Sequence, residues 1–537
     1  MTYATVRSCT MDGVTAVPVT VEVHLAGGLP GMSIVGLPQS AVRESRERVR
    51  AAIEHIGLRV PQARIIINLA PADLPKQGGR FDLPIALGIL AASRQLPASA
   101  LDEVVVIGEL GLSGELRAVR GVLPAVSGLS RTGKALLLPV ANLREALHSK
   151  GARVHAMSSL DEVVALLLRD GTLPLASHGT ASEGSDTFGK VEVLSTDENR
   201  SPAGENASRM HEDLPQTGPD LAEVRGQQQA REALEVAAAG GHNLLMCGSP
   251  GSGKTLLARC LPGILPPLSE TEALEVAAIE SISHGGFRDE AFGRRPFRAP
   301  HHSASVVALV GGASPPMPGE ISLAHRGVLF LDELPEFSRA VLESLREPLD
   351  SGVIQLSRAA QQAIYPAEFQ LLAAMNPCPC GHAFDDDRLC RCNADAVARY
   401  RARVSGPLLD RFDLQIAVMR EITGIGALLP SRNPDAAEVS ESSATVRLRV
   451  IQARKRQLTR QGKLNARLET AEFGQLRVSD EALALLAEAA AGARLSLRAQ
   501  HRLLRVARTL ADLAADEEVN FAAMAAAIGF RALDEFH

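Results

Sequence analysis

The feature that most constrains this chain is an octapeptide, GSPGSGKT, at residues 248–255. It fits the phosphate-binding loop pattern of Gly, four residues, then Gly-Lys-Thr. An apolar run at 243–247 predicts a short buried strand before the loop, and 256–259 predicts the start of a helix after it. This is the local context that such a loop requires. We therefore predict a nucleotide-binding loop formed by Gly248, Ser249, Pro250, Gly251, Ser252, Gly253, Lys254 and Thr255.

The residue types in this loop suit a phosphate group. The glycines let successive backbone N–H groups turn inward around a β-phosphate. Lys254 can bridge the β- and γ-phosphates, and the Thr255 hydroxyl can hold Mg²⁺. The sequence therefore predicts a nucleoside triphosphate and Mg²⁺ as ligands, and a Gly-rich turn without this role is the alternative.

Two apolar runs downstream of the loop end in polar residues suited to phosphoryl transfer. Residues 327–333 (GVLFLDE) predict a buried parallel strand that delivers two acids at its carboxyl end. Asp332 is expected in the Mg²⁺ shell, and Glu333 is expected to orient and polarise the attacking water. Residues 369–377 predict a further strand ending at Asn376, which either senses the γ-phosphate or only forms a turn before the next proline.

Length and composition limit the classes of protein that fit. The 537 residues suffice for about three domains. A net charge of −6 provides no global basic field, so any contact with nucleic acid must come from local patches. Aromatic residues make up only 3%, which argues against an interface of many stacked rings. Because neither a targeting signal nor a stretch of about 18 apolar residues is found, we expect a cytoplasmic protein without membrane contact.

The N-terminal segment predicts an independent α+β domain. Runs at 17–25 and 64–69 predict strands, with an amphipathic helix at 40–53 between them, and further strands are predicted at 104–107 and 135–138. Residues 177–218 are rich in small and polar residues and predict a flexible tether. The predicted organisation is a domain at 1–172, a linker at 173–218, an α/β core at 219–425 and a helical lid domain at 426–537.

The N-terminal segment also resembles Lon-protease-like domains of the ribosomal protein S5 domain 2 type. The resemblance rests on 78–84 (GGRFDLP), 108–115 (GELGLSGE) and 138–142 (LPVAN). Peptidases of this type need a Ser nucleophile activated by a Lys amine. Phe81 and Asp82 stand around the expected nucleophile, and 119–124 contains no Lys. We therefore expect no active protease and favour a scaffold or ligand-docking role.

The downstream chain resembles magnesium-chelatase-like AAA+ ATPases, and the ComM/YifB family most closely. The stretches that carry the resemblance are 296–302 (PFRAPHH), 318–327 (PGEISLAHRG) and 405–414 (SGPLLDRFDL). The resemblance covers nearly the whole chain. It implies ATP as the nucleotide, a homo-hexameric ring and an α/β multidomain fold: a Lon-like α+β domain, an AAA+ P-loop core and a C-terminal helical lid.

The family also implies arginines that complete the nucleotide site. Arg411 matches the position supplied by one subunit to its neighbour, where a guanidinium neutralises charge on the γ-phosphate. Arg403 is a nearby competitor, and a surface Arg411 paired to Asp410 or Asp413 is the alternative. Arg498 matches the arginine that the lid sends back onto the γ-phosphate. The catalytic set is thus Lys254, Asp332, Glu333, Asn376, Arg411 and Arg498.

Four of the seven cysteines cluster between 378 and 392. Cys378, Cys380, Cys390 and Cys392 supply enough thiolates for a closed tetrahedral Zn²⁺ site, in which the metal would be structural. In a reducing compartment such a cluster suggests a metal before a disulfide. The pairs are separated by one residue rather than the usual two, so free thiols in a loop are the alternative, with His382 as a substitute ligand.

Two features suggest contact with DNA. Residues 349–358 predict a hairpin, which in similar rings faces the central pore, and Arg358 either contacts DNA or is a solvated hairpin end. Residues 446–458, with further basic residues to 467, predict a basic helix. That helix would contact phosphates through counterion release, contact a neighbouring subunit, or expose a solvated face.

The resemblance implies an ATP-hydrolysing motor that acts on single-stranded or branched DNA. The specific expectation is a branch-migration helicase in recombination during natural transformation. The alternative is a chelatase-type ATPase that remodels a protein partner without translocating DNA. A protease is disfavoured because the Ser–Lys pair is missing.

Overall fold

The computed structural model describes residues 2–76, 78–130, 133–169, 175, 218–314, 316–358, 361–385, 389–420, 440–492 and 495–531. Apart from residues 175 and 218, the predicted linker at 173–218 lies outside the described residues. Among the described helices, none combines the length and the apolar character needed to cross a bilayer.

The N-terminal part contains a seven-stranded sheet in the order β3-β4-β2-β1-β5-β8-β9. Its strands β1 and β2 are antiparallel, as are β2 and β4, and the other neighbours are parallel. Two short strands, β6 and β7, pair beside it. The strands are β1 (Tyr3–Asp12), β2 (Thr15–Ala26), β3 (Gly31–Val35), β4 (Arg64–Ala70), β5 (Val104–Val106), β6 (Glu109–Leu110), β7 (Leu116–Arg117), β8 (Ala135–Pro139) and β9 (Val154–Met157).

Helices cover both faces of this sheet, and each face has its own apolar core. The helix Asp82–Ala92 is buried along its whole length, and a Cβ on its Gly88 would lie 2.7 Å from a Val23 methyl carbon, so glycine permits this close packing. The predicted α+β elements are confirmed. The helices are α1 (Ser40–His55), α2 (Asp82–Ala92), α3 (Val122–Ser130), α4 (Leu143–Leu147) and α5 (Leu160–Arg169).

The second sheet is fully parallel, in the order β11-β14-β17-β10-β18. Its central strands are almost wholly buried, which explains why they form continuous apolar runs in the sequence. The strands are β10 (Leu244–Gly248), β11 (Phe297–Arg298), β14 (Val328–Leu331), β17 (Gln370–Met375) and β18 (Leu414–Val418); β12 (Gly311–Gly312) and β13 (Met317–Pro318) form a separate pair.

Helices flank this sheet, and a mainly helical segment follows it. Those of the sheet region are α6 (Gln228–Gly240), α7 (Lys254–Ile264), α8 (Glu270–Ile282), α9 (Val306–Val310), α10 (Glu320–Leu323), α11 (Arg339–Ser344), α12 (Arg346–Ser351), α13 (Ala394–Arg401) and α14 (Gly406–Leu409). Those of the C-terminal segment are α15 (Ser443–Gln461), α16 (Asp480–Gly492), α17 (Leu497–Ala514) and α18 (Phe521–Gly529). This arrangement is a mixed α/β multidomain fold with a parallel sheet and a C-terminal helical region, consistent with an AAA+ core.

The hairpin predicted at 349–358 lies further along the chain. Residues up to Ser351 complete α12, and Gly352, with φ of +70°, ends that helix. Strands β15 (Val353–Arg358) and β16 (Gln361–Pro366) then pair antiparallel. The prediction missed the left-handed glycine that closes a helix at this position. The side chain of Arg358 lies outside the described residues.

The N-terminal part packs against the parallel-sheet part. The Gly121 N–H donates to the Ser281 carbonyl at 3.1 Å, and the Ser281 hydroxyl donates to the buried Glu145 carboxylate. At the edge of this contact, the His148 ring stacks on Phe292 with centroids 3.9 Å apart. The two sheets are therefore joined through α3, α4 and α8.

Candidate nucleotide-binding site

The predicted phosphate-binding loop joins β10 to α7. Gly251 and Gly253 adopt φ of +78° and +92°, a left-handed backbone that favours glycine. Gly248 is required for a different reason, because a Cβ there would lie 2.2 Å from the Val418 carbonyl oxygen on the neighbouring strand. The loop glycines thus serve both its curvature and its fit against β18.

The Lys254 ammonium is folded into the mouth of this loop. Its Nζ donates to the carbonyl oxygens of Gly248 at 2.6 Å and Ser249 at 2.9 Å. The Asn376 Oδ1 accepts from the same Nζ at 3.4 Å. The side chain that would bridge phosphates is therefore held by weak acceptors that phosphate oxygens can replace.

The charge state of Lys254 reflects its surroundings. Burial lowers the pKa of its ammonium group, and nearby Cys247, Asp332 and Glu333 oppose that shift. Asp332 and Glu333 thus place negative charge near the Lys254 ammonium, which favours its charged form.

Thr255 and Asp332 form the site that suits Mg²⁺. The Thr255 hydroxyl donates to Asp332 Oδ2 at 2.7 Å, although the two residues belong to α7 and to the end of β14. A hydroxyl and a carboxylate oxygen this close together are ligands that Mg²⁺ accepts beside the phosphates of a nucleotide. The donor set therefore fits the metal.

Glu333 directly follows, in an unusual backbone conformation. Its φ and ψ are 53° and 46°, the left-handed region, and its backbone N–H donates to Asp332 Oδ1 at 2.9 Å. The Glu333 side chain is 53% exposed, and its Oε2 lies 3.1 Å from His302 Nδ1. The acid is thus exposed to solvent water, with a histidine nitrogen beside it.

Parallel topology explains why these groups meet. Strands β14, β17 and β10 are neighbours, and their carboxyl ends lie at one edge of the sheet. Asp332 and Asn376 follow two of these strands, and the phosphate-binding loop follows the third. The structure therefore brings together Lys254, Thr255, Asp332 and Asn376, as the sequence predicted, with Glu333 beside them.

The predicted arginines occupy other positions. Arg411 forms a bidentate pair with Asp350, with nitrogen–oxygen distances of 3.1 and 2.5 Å. Arg403 lies 2.8 Å from Glu336, and Arg498 is exposed in the first turn of α17. Among the contacts of the described residues, none joins these guanidinium groups to Lys254, Thr255 or Asp332. Arg411 is therefore paired to Asp350, and neither Asp410 nor Asp413 is its ion-pair partner.

The basic helix α15 uses much of its charge within the chain. Arg449 pairs with Glu235 and Glu441, and Arg460 pairs with the buried Asp512. The exposed Lys455 remains on the helix surface. This pattern favours a structural role for much of the basic run that the sequence indicated as a DNA contact.

Two residues near the site were not predicted from the sequence. His302 contacts Glu333, and it belongs to the motif at 296–302, which was the only signal available for it. Asp385 accepts a hydrogen bond from the Ser249 hydroxyl of the phosphate-binding loop, and no local pattern indicates this contact.

The four clustered cysteines converge. The Sγ of Cys378 lies 3.3 Å from that of Cys380 and 3.6 Å from that of Cys390, and all four sulfur atoms lie within 4.8 Å of one another. The cluster could hold a metal ion. His382 is not part of it, since its Nδ1 lies 2.6 Å from Asp385.

Comparisons with known proteins define the class. Three family profiles match successive parts of the chain: "Subunit ChlI of Mg-chelatase" at 21–142, "Magnesium chelatase, subunit ChlI" at 220–424 and "Magnesium chelatase, subunit ChlI C-terminal" at 440–531. The fold and the site thus define a magnesium-chelatase-like AAA+ protein, a class that implies ATPase activity with ATP and Mg²⁺.

Full-length relatives place it more narrowly. A protein named YifB from Salmonella typhimurium is 45% identical over 536 residues, which is 99% of this chain and 98% of the relative. Competence protein ComM from Haemophilus influenzae is 44% identical over 535 residues, with the same coverage. The chain belongs to the ComM/YifB family. The magnesium-chelatase 67 kDa subunit of Heliobacterium mobile is 27% identical over 229 residues, 37% of this chain and 33% of that protein.

Proposed function

We propose that this protein is an ATP-hydrolysing AAA+ ring motor that acts on DNA. The observation that carries the ATPase part is the convergence of Lys254, Thr255, Asp332 and Asn376, with Glu333 beside them, at one edge of the parallel sheet. These groups offer a cation, a metal-binding pair and a carboxylate open to water. Phosphoryl transfer depends on such positioning and charge neutralisation more than on covalent chemistry.

Each side chain has a defined part in this proposal. Lys254 exchanges its carbonyl acceptors for β- and γ-phosphate oxygens. Thr255 and Asp332 hold Mg²⁺, which neutralises phosphate charge when it is bound. The Glu333 carboxylate accepts a hydrogen bond from the attacking water and so orients it. Asn376, which already contacts Lys254, donates its amide N–H to the γ-phosphate.

The ring assembly is part of the same proposal. Arg411 of one subunit would complete the site of its neighbour, and Arg498 would reach the γ-phosphate from the helical lid. Support comes from the family resemblance and from the absence of a second cation, within the described contacts, at the Thr255–Asp332 pair. In this view ATP binding bridges subunits through Arg411, and hydrolysis releases that bridge.

DNA is the proposed substrate of the motor because of the ComM/YifB family. One full-length relative carries the name competence protein ComM. We extend this to a branch-migration helicase that binds single-stranded or branched DNA in recombination during natural transformation. The hairpin β15–β16 is the element proposed to face the pore and pull a strand.

The N-terminal domain is proposed as a Lon-like docking module without peptidase activity. Asp82, one of the two residues at the position expected for a nucleophile, is buried and accepts a hydrogen bond from Arg48 Nε at 2.7 Å. The Leu110 N–H also donates to this carboxylate, at 3.3 Å. A carboxylate engaged in this way stabilises the domain and cannot serve as an activated serine does.

A chelatase-type motor that remodels a protein partner is the second candidate. It is favoured by the three successive matches to magnesium-chelatase subunit families, which span both sheets and the helical segment. Such a motor would hydrolyse ATP at the same site. Its hydrolysis rate would respond to a protein and would not respond to DNA.

One assay separates the two candidates. ATP turnover by the purified protein is measured with single-stranded, duplex and four-way DNA side by side. We expect branched or single-stranded DNA to bind and to raise turnover severalfold. Neither binding nor stimulation by any DNA would reject the DNA motor and leave the protein remodeller.

The site assignment has its own test. Lys254→Ala should reduce ATP turnover to background, because the ammonium that bridges the phosphates is removed. Lys134→Ala, in the N-terminal domain, is the control and should retain the wild-type rate. Intact turnover in Lys254→Ala would show that the nucleotide site is assigned wrongly.

A further inference from the structure

Gly381 and Asp385, in the cysteine-rich loop between β17 and α13, lie directly against the phosphate-binding loop. The Ser249 hydroxyl donates to an Asp385 carboxylate oxygen. Gly381, with φ of +83°, packs so closely that a Cβ on it would lie 2.6 Å from Pro250 Cδ. Two adjacent residues of the nucleotide site, Ser249 and Pro250, are thus in contact with Asp385 and Gly381, neither of which is a predicted catalytic residue.

The sulfur positions in this loop suit a single tetrahedral ion. A Zn²⁺ ion with Zn–S bonds of about 2.3 Å separates its sulfur ligands by about 3.8 Å. The Sγ atoms of Cys378, Cys380 and Cys390 are 3.3–3.6 Å apart, and Cys392 completes a set within 4.8 Å. All four are free thiols in the structure. Four protein ligands leave no open position, so the ion would be structural.

Asp385 connects this cluster to the phosphate-binding loop. Its side chain is only 3% exposed, and its second oxygen lies 2.6 Å from His382 Nδ1. His382 follows the ligand Cys380 by two residues, so a metal that holds Cys380 also restricts His382 and Asp385. Without the metal, no bond would offset the conformational entropy that is lost when the four cysteine side chains are held close together.

We propose that Cys378, Cys380, Cys390 and Cys392 hold one structural Zn²⁺ ion that keeps Asp385 on Ser249, so that metal occupancy sets the affinity for ATP. This inference rests on the proposed ATP site. Zinc fixes the loop, the loop fixes Asp385, and Asp385 holds the phosphate-binding loop in its curved form. Removal of the metal changes none of Lys254, Thr255, Asp332 and Glu333 but lets the phosphate-binding loop relax.

The experiment measures zinc content and ATP affinity separately. Zinc per chain is measured by elemental analysis, and ATP binding by a fluorescent ATP analogue. The wild type should contain one zinc per chain. Cys380→Ser combined with Cys390→Ser should lose zinc and bind ATP about tenfold more weakly. Asp385→Ala should keep zinc and weaken ATP binding to a similar extent, and all three changes together should weaken it no further.

Controls keep the outcomes distinct. Cys9→Ala removes a buried thiol from the N-terminal domain and Asp395→Ala removes an exposed acid from α13, and both should match the wild type. Chelation of zinc from the wild-type protein should lower ATP affinity, and return of zinc should restore it. This test does not require any variant to fold.

Three results would overturn the proposal. The metal site is rejected if the wild type contains no zinc. The coupling is rejected if the zinc-free protein binds ATP as tightly as the wild type. The direction of the coupling is rejected if Asp385→Ala loses its zinc. A zinc-loaded wild type that binds no ATP would instead reject the proposed function and leave the metal site standing.

Discussion

At the residue scale, Glu333 combines a strained backbone with an exposed acid. A non-glycine residue in the left-handed region costs about 1–3 kcal/mol and persists only where surrounding contacts enforce it. The contacts here are the N–H bond to Asp332 and the 3.1 Å approach of His302. The side chain itself is exposed to solvent just after β14.

His302 is therefore expected to act as a positioning residue for Glu333. His302→Ala should lower kcat for ATP about tenfold, because the carboxylate loses the group that fixes its rotamer. KM for ATP should change little, since His302 has no contact with the phosphate-binding loop among the described residues. Steady-state ATPase kinetics measure both parameters.

Conservative and neighbouring variants define that test. His302→Gln keeps a polar side chain beside the carboxylate and should recover part of kcat. His301→Ala removes the adjacent ring, whose centroid is 4.1 Å from that of His302, and should have a smaller effect. An unchanged kcat in His302→Ala would mean that Glu333 is held by its backbone alone.

At the scale of elements, α8, α10 and β17 meet around a buried histidine. His325, just after α10, accepts a hydrogen bond at Nδ1 from the Glu368 N–H at 3.0 Å. Its Nε2 lies 3.3 Å from Glu275 of α8. Since Nδ1 accepts, the neutral ring carries its proton on Nε2 and donates to Glu275. Arg326 pairs with both acids and completes the junction.

This junction predicts a pH dependence of stability. Burial lowers the pKa of His325, Arg326 acts in the same direction, and Glu275 and Glu368 oppose the shift. The folded state therefore binds the proton less readily than the unfolded chain, whose histidines titrate near pH 6.5. The stabilisation is complete above that pH and is lost as the pH falls below about 6.5.

Thermal unfolding between pH 7.5 and pH 5.5 measures this effect. His325→Gln should be less stable at pH 7.5 by about 2 kcal/mol, because a buried hydrogen-bonded group is replaced. Its apparent Tm should fall less steeply with acid than that of the wild type. The exposed His284→Gln is the control, and an identical acid slope in the wild type and His325→Gln would contradict the assignment.

At the scale of the whole molecule, the decisive feature is the Arg411–Asp350 pair. Both groups lie outside this chain's own nucleotide site, and Arg411 also donates to the Pro407 carbonyl at 2.5 Å. The Asp350 side chain is 62% exposed, so in the proposed ring the pair could open toward a neighbouring subunit. If subunits assemble as proposed, a guanidinium with an exposed partner is suited to exchange that partner for phosphate.

A mixing experiment tests the shared site. Arg411→Ala should lower kcat about 1000-fold while ATP binding persists. Mixed with Lys254→Ala, it should regain activity, because Lys254→Ala subunits supply Arg411 to neighbours that have an intact Lys254. Arg403→Ala, which loses only the contacts with Pro335 and Glu336, is the matched control. No recovery in mixed assemblies would place Arg411 outside a shared site.

The residue types of the phosphate-binding loop and the buried strands that end beside it were indicated by the sequence alone. The reason is that they depend on local patterns: glycines at a turn, a lysine at a helix start, and apolar runs that end in acids. Parallel pairing then places the ends of β10, β14 and β17 together, so the convergence of Lys254, Thr255, Asp332 and Asn376 followed from those patterns.

Only the tertiary structure decided the contacts made around that loop. His302 reaches Glu333, Asp385 reaches Ser249 across 136 positions of sequence, and Arg411 is held by Asp350. Each contact joins residues that are far apart in the sequence and lie in stretches without hydrophobic periodicity. Local sequence patterns therefore do not predict these contacts. The hairpin was predicted at 349–358, but its first strand begins only at Val353. The reason is that Gly352, with its left-handed backbone, ends a helix at that point.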